Sequence, residues 1–129
     1  MTLPLARLMR SSVVHVAFAF IAMGSWAAFA NRAHPMPAPP QAGLIQGALS
    51  GFITLLLKRG IEALSRRFTG IAALLAPPVI AGLASASLLT VIHTIAGTPE
   101  IGRTIAVPLT VATSYAALYN FSLWRSRKA

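Results

Sequence analysis

Long uncharged apolar runs separated by clusters of positive charge constrain this chain more than any motif in it. Nine of its eleven lysines and arginines fall in three places: Arg7 and Arg10; Lys58, Arg59, Arg66 and Arg67; and Arg125, Arg127 and Lys128. If each intervening run crosses a bilayer, all three clusters lie on one face. The two remaining cations, Arg32 and Arg103, then lie on the other, which is the positive-inside distribution. The pattern predicts an all-α integral membrane protein of four transmembrane helices in two hairpins, with both termini cytoplasmic (N-in/C-in). The plasma (inner) membrane is the location it implies.

Composition agrees with that placement. Hydrophobic residues make up 56% of the 129 positions and charged residues only 10%, against about 25% charged in soluble domains. The net charge of +9 has the sign of a nucleic-acid binder, but the cations sit at the ends of apolar runs rather than along one polar stripe. Anionic lipid headgroups are the partner implied, at about 1 kcal/mol for each juxtamembrane Lys or Arg, and no nucleic acid is expected. The chain has no cysteine, which excludes disulfides, thiolate metal sites and a cysteine nucleophile.

The whole chain, 1–129, reads as a single transmembrane domain. Residues 11–30, SSVVHVAFAFIAMGSWAAFA, carry no formal charge and match a hydrocarbon core of about 30 Å. Arg7, Arg10 and the Ala28-Phe29-Ala30 triplet also fit a signal peptide, but the run is longer than a usual h-region, so a retained first span is the expectation. Pro35, Pro37, Pro39 and Pro40 make 31–41 a stiff, non-helical connector of polyproline character. Residues 42–57 form a short second span. The segment 58–68, KRGIEALSRRF, is expected to be a basic cytoplasmic loop with a turn or two of amphipathic surface helix, supported by Glu62 and Arg66 at i,i+4. Its lipid-surface residues are Lys58, Arg59, Arg66 and Arg67. The third span, 69–96, is interrupted by Pro77 and Pro78, and the fourth, 101–124, contains Pro108. The two halves share a plan, yet their residues match too poorly to establish a duplication.

Gly43, Gly47 and Gly51 recur every four residues and place three glycines on one helix face, where another backbone can approach closely. They are the helix-packing candidates, against a helix of the same unit or a second copy. Small-residue faces at Ala81, Gly82, Ser85 and Ala86, and at Ala112 and Ala116, are the complementary surfaces considered. No Asp, Glu, Lys or Arg lies mid-span, whereas proton- and cation-coupled pumps need an intramembrane carboxylate or its equivalent. Small multidrug transporters share the size and layout, but the first span here has no acidic residue. His15 and His93 are the titratable intramembrane groups, expected as hydrogen-bonded or interfacial histidines.

On the side opposite the basic clusters, Asn31, Arg32, His34, Gln46, His93, Glu100 and Arg103 are expected to gather, because both connectors there are short. Arg32, His34, Gln46, His93, Glu100 and Arg103 are the candidate headgroup- or substrate-binding residues, since guanidinium forks suit phosphate. The plain alternative is interfacial charge with a Glu100–Arg103 pair. Zinc on His34, His93 and Glu100 matches no recognised spacing, and no metal or cofactor is expected. Trp26, Phe29, Tyr119, Phe121 and Trp124 read as interfacial anchors. No G-x-S-x-G or phosphate-cradling glycine loop occurs, so no enzyme activity is expected.

The role these residues imply is a non-catalytic helix-packing, assembly or accessory subunit, either a homo-oligomer or part of a membrane complex. The basic ends and the Tyr119-Asn120-Phe121…Trp124-Arg125 tail resemble those of GtrA-like proteins, four-span membrane proteins linked to moving polyprenyl-phosphate sugars. The resemblance covers the layout and that one tail. It implies the alternative, a small permease or a flippase of lipid-linked substrates.

Overall fold

The computed structural model describes residues 11–128. The expectations for Arg7, Arg10 and the Lys128 side chain lie outside the described residues. Four helices follow in order: α1 Ser12–Ala30, α2 Ala38–Ser65, α3 Gly70–Ala96 and α4 Ile101–Lys128. The first three are each long and apolar enough to cross a membrane. α4 is 28 residues long and more polar, with Arg103, Thr104, Thr110, Thr113 and Asn120 along it.

α1 packs mainly on α2, and α3 on α4, so the two hairpins form the sides of the bundle. α2 also meets α3 and α4, while α4 touches α1. The inward faces are marked by small and polar residues spaced by four, the row that lies nearly along a helix. On α3 the row is Ala73, Pro77, Ala81, Ser85, Leu89 and His93; on α4 it is Thr104, Pro108, Ala112, Ala116 and Asn120. α2 needs two rows because it has two sets of neighbours. Ala42, Gln46 and Ser50 are buried along one, and Gly43, Gly47 and Gly51 run beside them.

The glycine row is covered by α1 of the same chain. A Cβ at Gly43 would stand 3.0 Å from the Gly24 carbonyl oxygen, and one at Gly47 would stand 2.9 Å from the Phe20 carbonyl oxygen. Close approach requires glycine on both helices, and Gly24 supplies it from α1. The faces on the third and fourth spans considered as partners pack elsewhere: Gly82 faces Thr113 of α4.

Two expected boundaries are corrected. The connector 31–41 is not non-helical throughout, because α2 begins at Ala38 with Pro39 and Pro40 in its first turn. First-turn amides have no intrahelical acceptor, so proline loses no hydrogen bond there and its fixed φ favours the helix. The segment 58–68 is not a separate loop either. α2 continues unbroken through Lys58 and Arg59 to Ser65, so most of the basic segment is the last two turns of a helix, and only 66–69 make the turn into α3.

Candidate functional site

Gly97 ends α3 in the left-handed conformation (φ 75°) that glycine tolerates best. The reversal brings the Thr98 amide back onto the His93 carbonyl at 3.0 Å and places the Thr98 hydroxyl 2.7 Å from His93 Nδ1. On its other side His93 Nε2 lies 2.9 Å from Gln46 Oε1 of α2, and Gln46 Nε2 donates to Ser50 Oγ at 2.7 Å. His93 and Gln46 are fully buried. Gln46 Oε1 can only accept, so imidazole Nε2 carries the proton and Nδ1 accepts from Thr98. The result is a closed chain, Thr98 to His93 to Gln46 to Ser50, in which a neutral histidine has both nitrogens satisfied. It ties α2 to the end of α3.

A second set joins the two connectors. Asn31, completely buried, donates through Nδ2 to the Ala27 carbonyl at 2.8 Å and to Thr104 Oγ1 at 2.7 Å. Its Oδ1 accepts the Glu100 backbone amide at 3.0 Å. Nearby, His34 Nε2 meets Glu100 Oε2 at 2.7 Å, and the Trp26 indole donates to the Arg103 carbonyl at 2.8 Å. The expected Glu100–Arg103 pair is replaced by Glu100–His34, and Arg103 acts on Glu100 only as a lesser charge. The two arginines do not converge on one site. Arg32 lies 3.9 Å over the Phe29 ring and donates to the Phe29 carbonyl, while Arg103 is exposed. Of the residues expected to gather at this end, Asn31, His34, Gln46, His93 and Glu100 are held in two adjoining networks, and the guanidinium groups of Arg32 and Arg103 stand outside both. No group of three or more His, Cys, Asp or Glu able to hold a metal occurs among the described residues.

The Glu100–His34 contact carries a pH prediction. The Glu100 carboxyl is lowered from its ordinary 4.5 chiefly by the His34 hydrogen bond, against opposing desolvation, with the His34 and Arg103 charges adding to the lowering. A depressed carboxyl stabilises the fold above its unfolded pKa, and that contribution disappears as pH falls through the folded value. In a Trp124→Phe variant, where Trp26 is the remaining indole, emission is expected to hold steady from neutral pH to about 4.5 and to shift below it. In Glu100→Gln the acid step should vanish. A flat Trp26 signal, or the same step in both proteins, counts against this tether.

At the opposite end the basic segments meet. Arg127 donates to the Ser65 carbonyl at 2.7 Å and the Trp124 indole to the Gly70 carbonyl at 3.0 Å. The Tyr119 hydroxyl donates to the Glu62 carboxylate, which also has Lys58 at 3.7 Å. Tyr119 and Trp124, read as interfacial anchors, are thus also inter-helix ties. Asn120, which in the sequence stood only as part of the aromatic tail, is fully buried and donates to the carbonyls of Ala73 at 2.9 Å and Leu74 at 2.8 Å. Those are the two acceptors that Pro77 and Pro78, four residues on, cannot serve. An Asn in an otherwise apolar run, facing a helix with a Pro-Pro pair, was the available signal.

Two surface grooves are lined almost wholly by apolar side chains. One is bounded by Val13, Val16, Phe20, Ile21 and Leu55, the other by α2 and α3 around Leu56, Leu64 and Ile80. No family model, curated protein or solved structure matches the chain. The class of the protein therefore rests on its own residues: four helices among the described residues, three of them long and apolar enough to cross a membrane.

Proposed function

We propose that the chain is a four-span inner-membrane protein, N-in/C-in, whose role is non-catalytic: a packing or accessory subunit leaning on anionic lipid. The observation that carries this reading is the inverted distribution of side chains. Inside are Ala27, Ala30, Ala42, Ala73 and Ala116 with satisfied Asn31, Gln46, His93 and Thr104, and among the described residues only Ile61 and Leu89 as large buried aliphatics; outside are Phe18, Ile21, Leu44, Leu83, Ile95 and Leu118, each more than 60% exposed. Such a surface is at home in hydrocarbon and not in water. α4 fits as the fourth span because Val111, Tyr115, Leu118 and Phe121 form an exposed apolar stripe along it, opposite the row that ends in Asn120. The permease or flippase alternative calls for a polar path between helices. Closed hydrogen-bond chains and apolar grooves favour the packing reading instead.

The absence of cysteine makes the test direct. Single cysteines placed at Arg32, Arg103, Arg67 and Ser126 are expected to split by side in intact cells. The first two should react with an impermeant maleimide, and the last two only after lysis. Labelling of Arg103→Cys and Ser126→Cys from the same side removes the fourth span. For the accessory role, the chain extracted in mild detergent should migrate within a larger complex; migration at the mass of one copy overturns that role.

A further inference from the structure

A groove of about 230 Å³ lies between α2 and α3. Its α2 wall includes Phe52, Leu56, Gly60 and Leu64, and its α3 wall includes Ile80 and Ala84. At Gly60 a Cβ would meet nothing within 4 Å, so the two helices stand apart there. From Phe52 to Leu64 the wall covers about 18 Å of helix axis at the usual rise, close to half of a hydrocarbon core of about 30 Å. That is the depth of one leaflet.

The Leu64 end of this wall meets the basic end of the bundle. Arg59 follows Leu56 by three positions, on the neighbouring row of the same helix. Arg67 follows Leu64 by three, in the turn where its amide closes onto the Leu64 carbonyl at 2.9 Å. Both are exposed. The chain has two acidic side chains: Glu62 is engaged by Tyr119 and Lys58, and Glu100 by His34 at the far end. Arg59, Arg66, Arg67 and Arg125 thus form no ion pair among the described residues. An apolar wall one leaflet deep, flanked along its length by Arg59 and closed beyond Leu64 by Arg67, neither of them in an ion pair, is complementary to a lipid with a negative headgroup.

We propose that the α2–α3 groove is a specific site for one anionic phospholipid, its acyl chain lying along residues 52–64 and its phosphate held by Arg59 and Arg67. The site rests on the reading that α2 spans the bilayer with its basic end at headgroup level. It goes beyond general attraction to an anionic surface in requiring a bound lipid that leaves when the groove is filled.

The test uses the full chain in nanodiscs of equimolar phosphatidylglycerol and phosphatidylcholine, with retained lipid read by native mass spectrometry after detergent release. The wild-type chain should carry phosphatidylglycerol. Gly60→Leu and Ala84→Leu fill the groove from its two walls, at exposed positions where a longer side chain has room, and either should cut retention about tenfold, which corresponds to about 1.4 kcal/mol. Arg59→Gln with Arg67→Gln should lower the preference for phosphatidylglycerol by roughly thirtyfold, from about one unit of headgroup attraction per cation removed. The site is overturned if both groove variants, with unchanged helical circular dichroism, retain the lipid as the wild type does. It is equally overturned if the wild type holds both lipids alike, or if Gly60→Leu dissociates a dimer without altering retained lipid, since a second copy then fills the groove. Extraction of the wild-type chain from membranes by alkaline carbonate rejects the membrane reading beneath the site; a chain that resists extraction but carries no phosphatidylglycerol rejects the site alone.

Discussion

Replacing Asn120 with leucine is expected to weaken the α3–α4 contact by roughly 2–4 kcal/mol, and replacing Pro77 and Pro78 with alanine is expected to cancel most of that loss. Donors on α4 match acceptors left open on α3. Pro77 and Pro78 have no amide hydrogen, so the carbonyls of Ala73 and Leu74 lose their helical partners. Asn120 Nδ2 donates to both, across a helix interface where it is fully buried. Leucine leaves two acceptors without donors, the Ala73 carbonyl buried and the Leu74 carbonyl partly so, at about 1–3 kcal/mol each. The lower half of the combined range is favoured because inter-helix hydrogen bonds in bilayers average about 0.6 kcal/mol by double-mutant cycles. With alanine at 77 and 78 the helix amides return and the carbonyls no longer need Asn120. A double-mutant cycle on the unfolding free energy in detergent should therefore show coupling of about 2 kcal/mol. Asn120→Asp sharpens the test, because it keeps the shape and turns an acceptor towards two acceptors; it should be at least as damaging as leucine. Asn120 Oδ1 has no partner among the described residues, so no loss is expected from that atom. Additive effects of the Asn120 and proline changes would mean that Asn120 stabilises something other than the gap the prolines open.

That link shows why part of this fold is legible in the chain and part is not. Apolar length identified helices at 11–30, 42–57 and 69–96 because a run without charge is a property of composition, and at 101–124 because Arg103 is the one charge in that run. Which face of each run points inward is harder, since leucine facing lipid and leucine facing a neighbour look alike. The inward rows are visible only where small or polar residues recur every four positions, as Ala73, Pro77, Ala81, Ser85 and His93 do on α3, and Leu89 in the same row gives no such sign. The glycine row was legible because three glycines at that spacing have few other uses. Its partner was not, because Gly24 stands alone on α1. The polyproline reading of 31–41 treated every proline as a helix breaker, although Pro39 and Pro40 fall where a helix has no amides to lose. Likewise the charges at 58 and 59 marked the end of an apolar run, and α2 outlasts it to Ser65. Of the polar cluster, proximity followed from short connectors. Pairing did not, since Glu100 has Arg103 three residues away in sequence and His34 beside it in space.

A side chain at Gly47 is expected to force α1 from α2, and the size of the effect at each glycine should follow what stands opposite. At Gly24 a Cβ would lie 2.8 Å from the Gly43 carbonyl oxygen, and at Gly47 2.9 Å from the Phe20 carbonyl oxygen. These obstacles are backbone, which cannot rotate aside. At Gly51 the contact is the Val16 Cγ1 methyl at 3.1 Å, the tip of a side chain that has some room to give. Alanine in place of glycine gains about 1 kcal/mol in helix propensity at every one of these positions, while overpacking costs about 1–3 kcal/mol. The two terms nearly cancel at Gly51, and overpacking wins at Gly24 and Gly47. Gly51→Ala should therefore change the unfolding free energy little, Gly24→Ala and Gly47→Ala should lower it, and Gly47→Leu should lower it most, by roughly 3 kcal/mol or more on the same reasoning. Equal effects at Gly47 and Gly51 would rule out backbone contact as the reason for the row. The order also bears on assembly. α1 of the same chain already covers the glycine face, so any oligomer lost in Gly47→Leu follows from separation of α1 and α2 within one copy. A direct seam between copies predicts the opposite signature: oligomers lost in Gly47→Leu while the unfolding midpoint of the single chain stays where it was.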